Sequence, residues 1–308
     1  MNLTPIFSGG SGRSGTTIII NLLDKHESFK ASLPREIRFL TDRLGLLDLN
    51  YVRPYPFELS IRHILTRSAL MTLRVTKSGK RGLFLSRMQD YWWSTEGKNG
   101  KPRGLVQSIA KNELERILEE FNKSPKSELE KASSQLFFDI ANSQISKPGI
   151  RYFGDSTPAN ITNSQYIKQL LPTSKFINMT RDGRDVAFSI SKQPWGPNNP
   201  VECLEFWKKR LLSGVSALEK IDRDSWIEIR IEELVEQKRD ETYTRLSNFL
   251  DLPESIKMRD FFNSTVNVEN MHSGTWQFAL PSPHQFNARY SEILKELSDE
   301  GINFIKYY

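Results

Sequence analysis

Cysteine is almost absent from this sequence: Cys203 is the only one among 308 residues. A lone thiol cannot form an internal disulfide or a cysteine metal cluster. Four histidines are scattered without metal-ligand spacing such as HExxH: His26, His63, His272 and His284. No long apolar segment predicts a membrane span, and a glycine-rich loop begins too early to leave room for a signal peptide. We therefore expect a cytoplasmic protein that requires no metal ion.

The composition is typical of a globular protein, and the net charge is compatible with several kinds of binding partner. Hydrophobic residues make up 38% and charged residues 26%, which is enough apolar material for a sizeable core. The net charge of +6 is compatible with binding to nucleic acid, to a membrane surface or to a small polyanionic ligand. It is also compatible with a solvated surface rich in lysine that binds none of these. The basic residues form no known nucleic-acid module, so we expect no nucleic-acid partner.

Strand and helix patterns alternate in two parts of the chain, 1–40 and 150–308. This alternation predicts an α/β fold with a parallel sheet. Residues 41–149 read as helical and interrupt the pattern. We expect one domain over residues 1–308, in which this helical insertion covers the carboxyl edge of the sheet, where α/β proteins bind ligands.

The segment SGGSGRSGTT, residues 8–17, lies between a predicted strand and a predicted helix. Gly10 and Gly15 have the Walker separation, but no lysine follows, which argues against ordinary magnesium–nucleotide chemistry. Backbone amides near the helix start would face an anion. Arg13 would add a charged donor. The candidate ligands are Gly12, Arg13, Ser14, Gly15, Thr16 and Thr17. The alternative is a glycine-rich helix cap with no ligand.

A second candidate anion site is the segment KFINMTRDGRDVAFS, residues 175–189. Arg181 ends a predicted strand, and Ser189 follows eight positions later in a predicted helix. Both side chains can reach one phosphate, one by charge and one by a hydroxyl hydrogen bond. In the alternative reading Asp182 caps the helix, and Arg184 and Asp185 are surface charges.

Together these segments resemble the sulfotransferases that use 3′-phosphoadenosine 5′-phosphosulfate (PAPS). GRSGTT is similar to their 5′-phosphosulfate loop, in the arginine form of tyrosylprotein and many bacterial members. Arg181 and Ser189 match the two ligands of the 3′-phosphate motif. WIEIRIEELVEQ resembles another family segment, and HSGTW, residues 272–276, lies where the family closes a loop over the nucleotide, which suggests binding by the backbone of Ser273 and Gly274. Trp276 is equally compatible with core packing.

The resemblance implies a three-layer, P-loop-like parallel sheet flanked by helices and transfer of a sulfuryl group from PAPS to a hydroxyl, with release of 3′-phosphoadenosine 5′-phosphate (PAP). Arg13 would stabilise the departing charge. Glu36 in PREIRFL resembles the glutamate base of carbohydrate sulfotransferases; it is alternatively a surface ion-pair residue. His26, which also suits a helix cap, and His63 are the other candidate bases.

The chain departs from the family at GDSTPAN, where Ser156 replaces a lysine that helps catalysis in the carbohydrate enzymes. Either another cation, for which Arg35 is a candidate, takes the place of this lysine, or the acceptor chemistry differs. The stretch 59–89 has no acidic residue and suits either an acidic acceptor or a solvated helix face. The cluster Tyr91, Trp92 and Trp93 suits either a sugar or ring platform or core packing.

Three functions therefore remain open from the sequence. The first is a PAPS-dependent sulfotransferase that acts on a carbohydrate, a tyrosine or a small alcohol. The second is a nucleotide or small-molecule kinase with a degenerate P-loop, and the third is a non-catalytic relative that binds anions. The sequence predicts no oligomeric state.

Overall fold

The computed structural model describes residues 3–53, 77–97, 100–271 and 273–302. His63, His272 and the part of the acid-free stretch from residue 59 to residue 76 lie outside the described residues. The chain divides into two compact units. The first comprises Met1–Ala31, Gly149–Lys168 and Thr173–Tyr308, and the second comprises Ser32–Pro148 and Gln169–Pro172.

The strands, in chain order, are β1 (Thr4–Gly10), β2 (Phe29–Ala31), β3 (Thr95–Glu96), β4 (Pro102–Arg103), β5 (Tyr152–Asp155), β6 (Lys175–Thr180) and β7 (Trp226–Arg230). The α-helices are α1 (Thr16–Leu23), α2 (Arg38–Thr41), α3 (Leu46–Asn50), α4 (Lys77–Gln89), α5 (Lys111–Lys123), α6 (Leu129–Ser143), α7 (Ser164–Leu170), α8 (Gly183–Ser191), α9 (Pro200–Leu218), α10 (Arg239–Phe249), α11 (Ile256–Thr265), α12 (Trp276–Ala279) and α13 (Pro283–Asp299). A short π-helix, Glu233–Gln237, precedes α10.

The first unit contains a five-stranded sheet in the order β2-β5-β1-β6-β7. Every neighbouring pair is parallel, and β1 lies in the centre between β5 and β6. Ile6 and Phe7 of β1 are fully buried although they point to opposite faces, because helices flank the sheet. The α/β fold with a parallel, P-loop-like sheet is confirmed.

The sheet order creates a switch point at the carboxyl end of β1. From β1 the chain passes through α1 to β2 on one side of the strand, whereas β6 lies on its other side. Connections that diverge in this way leave a crevice at the strand ends, where open α/β sheets bind ligands. The first three residues of the glycine-rich segment end β1, its remainder from Ser11 follows that strand directly, and Arg181 follows directly after the neighbouring strand β6.

Among the described residues, two of the apolar clusters lie in the first unit. In one, the apolar side of α1, including Ile19 and Leu23, packs with Ile177 of β6 and with residues of α10 and α11. In the other, Trp207 of α9 packs with helices α8 and α13, and its ring lies 5.7 Å from the Tyr290 ring in a tilted arrangement. Because residues of both α8 and α9 pack into this cluster, the backbone that carries the polar side chains of these two helices is held in place.

The second unit is largely helical, which confirms the predicted helical insertion, and it begins at Ser32. It therefore contains Glu36, which the sequence reading assigned to the segment 1–40. Its core includes Phe84 of α4, whose ring lies 5.7 Å from those of Trp92 and Phe121. Strands β3 and β4 form a short antiparallel pair. No helix within the described ranges is both long enough and apolar enough to cross a membrane.

Candidate functional site

The loop between β1 and α1 has a backbone that depends on glycine. Gly12 has φ 86° and Gly15 φ 92°. Gly15 is the N-cap of α1, and a Cβ atom there would lie only 3.0 Å from Cδ1 of Ile231. Arg13 also adopts a positive φ of 56°, which is uncommon outside glycine. Such a strained turn persists only where its surroundings hold it, and it is common at ligand sites.

This loop presents donors to an anion. In the described hydrogen-bond network, the amides of Gly12, Ser14 and Gly15 donate to no protein acceptor. Consecutive amides in turn conformations at a helix start form an anion-binding concavity. Ser14 Oγ is buried next to this loop, also without a partner among the described residues, while Thr16 is buried and Thr17 exposed at the start of α1. The donor set therefore fits a phosphate or phosphosulfate.

The two predicted anion segments meet at Arg13. The Nε atom of Arg13 donates to Ser189 Oγ at 2.9 Å. Arg181 Nη1 donates to the Arg13 carbonyl at 3.3 Å. Two guanidinium groups and a helix hydroxyl therefore lie against one glycine loop, although more than 160 residues separate the segments. This concentration of positive charge suits a ligand with more than one anionic group.

Asp185 joins Arg181 to the segment around Gly274. Its carboxylate lies 3.5 Å from Arg181 Nη2 and accepts the Gly274 amide at 2.8 Å. Burial raises the pKa of Asp185, whereas the Arg181 charge and the hydrogen bonds from Gly274 and Ser273 lower it. Ser273 is exposed and Gly274 half-buried. The structure thus brings the predicted pair Ser273 and Gly274 to the Arg181 turn through a carboxylate.

The turn after β6 is fixed by two acidic residues. The Asp182 side chain caps α8 by accepting the Arg184 amide at 2.8 Å, so the predicted cap is confirmed. Arg184 and Asp185 are not surface charges: Asp185 is buried, and the Arg184 guanidinium stacks 4.7 Å from the Tyr290 ring. Glu232, also buried, accepts the backbone amide of Asp182 at 2.8 Å.

Arg210 of α9 contacts the glycine loop from a third direction. Its Nη1 atom donates to the Ser11 carbonyl at 3.3 Å. The same nitrogen lies 3.3 Å from the position of a Cβ atom at Gly12, so a side chain there would crowd the guanidinium. Within the described part of the chain, Arg181 and Arg210 therefore contact this loop, and Arg13 belongs to it.

Glu36 lies in the second unit, between β2 and α2. The side chain is exposed, but partial loss of hydration raises its pKa; the charges of Arg38 and Arg103 oppose this effect and that of Asp42 adds to it. Arg35 and Arg38 flank Glu36 in the sequence, but desolvation has a larger effect on the pKa of Glu36 than the nearby positive charges have.

His26 and Ser156 have structural surroundings. His26 Nδ1 accepts the Ser28 amide and Nε2 lies 3.1 Å from the Pro253 carbonyl, so both ring nitrogens contact backbone groups. This buried ring fixes the turn after α1 and offers no nitrogen for base catalysis. Ser156 is fully buried. Arg35 donates to the Ser32 carbonyl at 3.1 Å within the second unit.

The aromatic and basic residues of the middle region divide between core and surface. Trp92 is buried, whereas Tyr91 is 41% exposed and lies beneath the Arg38 and Arg87 guanidiniums at 5.4 and 4.9 Å. Arg81 is buried and donates to the carbonyls of Phe121 and Ser124, so it does not belong to a solvated face. In the first unit, Trp276 packs on Phe286 in the core.

The first unit therefore brings together all the predicted anion ligands, and Glu36 lies in the other unit. Three residues of the site were missed: Asp185, Arg210 and Glu232. Asp185 is inside a segment that the sequence had singled out, but Arg210 and Glu232 carry no local signal because only the tertiary fold brings them to the loops. Among the described residues, no group of three or more His, Cys, Asp or Glu side chains is arranged to hold a metal ion.

Comparison with known proteins identifies the family and the fold of this chain. Residues 5–255 match the family model described as the sulfotransferase family. Similar solved structures include the sulfotransferase domain from the curacin biosynthetic pathway, 18% identical over 96% of this chain and 98% of the other, with a TM-score of 0.53. The sulfotransferase domain from the Synechococcus PCC 7002 olefin synthase is 15% identical over 96% and 95%, with a TM-score of 0.51. At these identities the structures show a shared fold. Comparison with curated protein sequences gives no match.

Proposed function

The chain belongs to the sulfotransferase family, and we propose that it transfers a sulfuryl group from PAPS to a hydroxyl acceptor and releases PAP. The observation that carries this proposal is the meeting of two anion-binding segments at Arg13. A donor with anionic groups at both the 5′ and the 3′ position needs two such sites at a fixed separation. An ordinary nucleoside triphosphate does not need the second.

We assign the 5′-phosphosulfate to the loop of Gly12, Ser14 and Gly15, with the hydroxyls of Thr16 and Thr17 at the helix start. Amides and the α1 N-terminus would orient the group and accept its charge. Arg13 would stabilise the negative charge that develops on the bridging oxygen as the sulfur–oxygen bond breaks. The Arg13 side chain is exposed and donates a hydrogen bond to Ser189. Its charge therefore lies at the loop surface and is not buried without a partner.

We assign the 3′-phosphate to Arg181 and Ser189. Arg181 is held from two sides, by the Arg13 carbonyl and by Asp185, which limits the freedom of its side chain. A preorganised guanidinium loses little entropy when it binds a phosphate. Ser273 and Gly274, linked to the same turn through Asp185, would complete the nucleotide site.

Glu36 is our proposed base, which takes the proton from the acceptor hydroxyl. A carboxylate whose pKa is raised accepts a proton more readily than an ordinary glutamate does. The arginines nearby, Arg38 and Arg103, offer charge to an acidic acceptor, and the exposed Tyr91 offers a ring surface to a sugar. The second unit would therefore bind the acceptor. These roles need only side chains and backbone amides, without a metal ion.

Calorimetric titration with PAP in the absence of metal, beside ADP and ATP with magnesium, tests the donor assignment. We expect tight, metal-independent binding of PAP and weaker binding of ADP, which lacks the 3′-phosphate. Incubation with labelled PAPS and a panel of sugars, tyrosine peptides and small alcohols then identifies the acceptor.

Binding of magnesium–ATP without binding of PAP would overturn the proposal and favour a kinase. Binding of PAP by a protein that transfers no label to any acceptor, and whose Glu36→Gln variant behaves like the wild type, would favour a non-catalytic anion-binding protein.

A further inference from the structure

Two carbonyl groups of the glycine loop, those of Ser11 and Arg13, accept hydrogen bonds from arginines. Arg210 binds the Ser11 carbonyl and Arg181 the Arg13 carbonyl, each at 3.3 Å. In a trans peptide the carbonyl and the next amide point in opposite directions. An arginine on the Ser11 carbonyl therefore directs the Gly12 amide away from itself, and one on the Arg13 carbonyl does the same for the Ser14 amide.

Arg210 is itself held in place. It extends from α9, which is packed through Trp207 into an apolar core. Its guanidinium stacks over the Phe206 ring at 4.7 Å, and Trp195 packs against that ring at 6.3 Å. Because the guanidinium is fixed by a ring on its own helix, its contact to the loop is a rigid constraint.

We propose that Arg210 is a positioning residue of the donor site, which turns the loop amides toward the 5′ anion by binding the Ser11 carbonyl. This inference rests on the proposed function. A hydrogen bond from a charged group to a carbonyl also polarises the peptide and makes the amide on its other side a stronger donor. Arg181 would serve both phosphates, whereas Arg210 would serve the 5′ group alone.

The test compares two ligands that differ only in the 5′-phosphate: PAP and adenosine 3′-monophosphate. Arg210→Met removes the charge and the donors but keeps much of the apolar stem. We expect it to weaken PAP binding about tenfold or more, since a hydrogen bond from a charged group is lost at the loop. The affinity for adenosine 3′-monophosphate should stay unchanged. Lys209→Met is the matched control, because Lys209 is the neighbouring but exposed cation of α9.

A merely structural role would lower the thermal midpoint and reduce the affinity for both ligands together. That outcome, or unchanged PAP binding in Arg210→Met, would overturn the inference. If Arg210→Met does not fold, Phe206→Leu replaces it as the test, because this change removes the ring that holds the guanidinium. Phe206→Leu should also weaken binding of PAP but not of adenosine 3′-monophosphate, by a smaller factor; an equal effect on both ligands would also overturn the inference. Failure of the wild type to bind PAP would instead refute the proposed function.

Discussion

Replacement of Arg181 by alanine should affect ligand affinity and protein stability through separate mechanisms. The side chain is our proposed ligand of the 3′-phosphate, and it also neutralises Asp185. Loss of a charge-assisted hydrogen bond costs about 1.5–3 kcal/mol. This corresponds to a rise of about 10- to 150-fold in the Kd for PAP and for PAPS. Calorimetry with PAP measures this first effect.

The second effect is on folding. The Arg181 and Asp185 side chains are only 14% and 5% exposed, so Arg181→Ala leaves a buried carboxylate without its cation. The Gly274 amide still donates to it, which limits the loss to about 1–3 kcal/mol of unfolding free energy. Burial already raises the pKa of Asp185 and Arg181 opposes that rise, so the variant's pKa is higher still. The fold then favours the protonated form, and the destabilisation grows as pH rises through the folded-state pKa and fades below it.

A second substitution separates the two effects. Asp185→Asn keeps an oxygen that accepts the Gly274 amide but removes the charge. In Arg181→Ala/Asp185→Asn the unfolding free energy should recover, while PAP affinity should stay low. Urea denaturation at several pH values and calorimetry decide both points, with Arg116→Ala as a control at an exposed ion pair. Unchanged PAP affinity would refute the phosphate role of Arg181, and a stability loss that the added Asp185→Asn change does not reverse would refute the buried-charge argument.

Three further outcomes are expected. Glu36→Gln should lower turnover about 100-fold or more while PAP affinity stays at the wild-type level. Because partial loss of hydration raises the pKa of Glu36, the acid limb of the wild-type pH–rate profile should lie above the pH typical of glutamate, and Glu36→Gln should abolish this limb; full activity would exclude Glu36 as the base. Gly15→Ala should lower the free energy of unfolding by about 1–3 kcal/mol and weaken PAP binding, because Gly15 has a positive φ and an added Cβ atom would contact Ile231. At Gly82 an added Cβ atom meets no atom within 4 Å, so Gly82→Ala should leave PAP affinity unchanged and should leave stability unchanged or improve it; equal behaviour of the two variants would contradict this. Cys203, buried and with a pKa raised to about 11, should react with a thiol reagent only after unfolding, and rapid labelling of the native protein would show the reverse.

Much of the fold follows from local patterns. The strand–loop–helix at residues 4–23 and the strand–turn–helix at 175–191 were both predicted, because each combines a buried strand with glycine or Asp-capped turn chemistry. The cap at Asp182 follows from its position before the helix, and core packing was one of the two predicted roles of Trp276.

The electrostatics of the site were less predictable. Glu36 has Arg35 and Arg38 beside it in sequence, yet hydration decides the direction of its pKa shift, and hydration depends on the fold. Arg210 and Glu232 reach the two anion segments from α9 and from the end of β7. No local sequence pattern at either position indicates a role in these loops, because only the tertiary fold brings these distant residues into contact with them. Asp185 read as a surface charge because α8 alone does not reveal that Gly274 covers it.

The central position of β1 also imposes an order on biosynthesis. Its neighbours in the sheet, β5 and β6, begin at Tyr152 and Lys175, so β1 emerges from the ribosome long before either partner exists. At about 5–20 residues per second, the delay is on the order of ten to thirty seconds. Throughout that time a strand destined for complete burial has no partner strand to pair with. The nascent chain is therefore most vulnerable to aggregation, and most dependent on chaperones, while the second unit is being made.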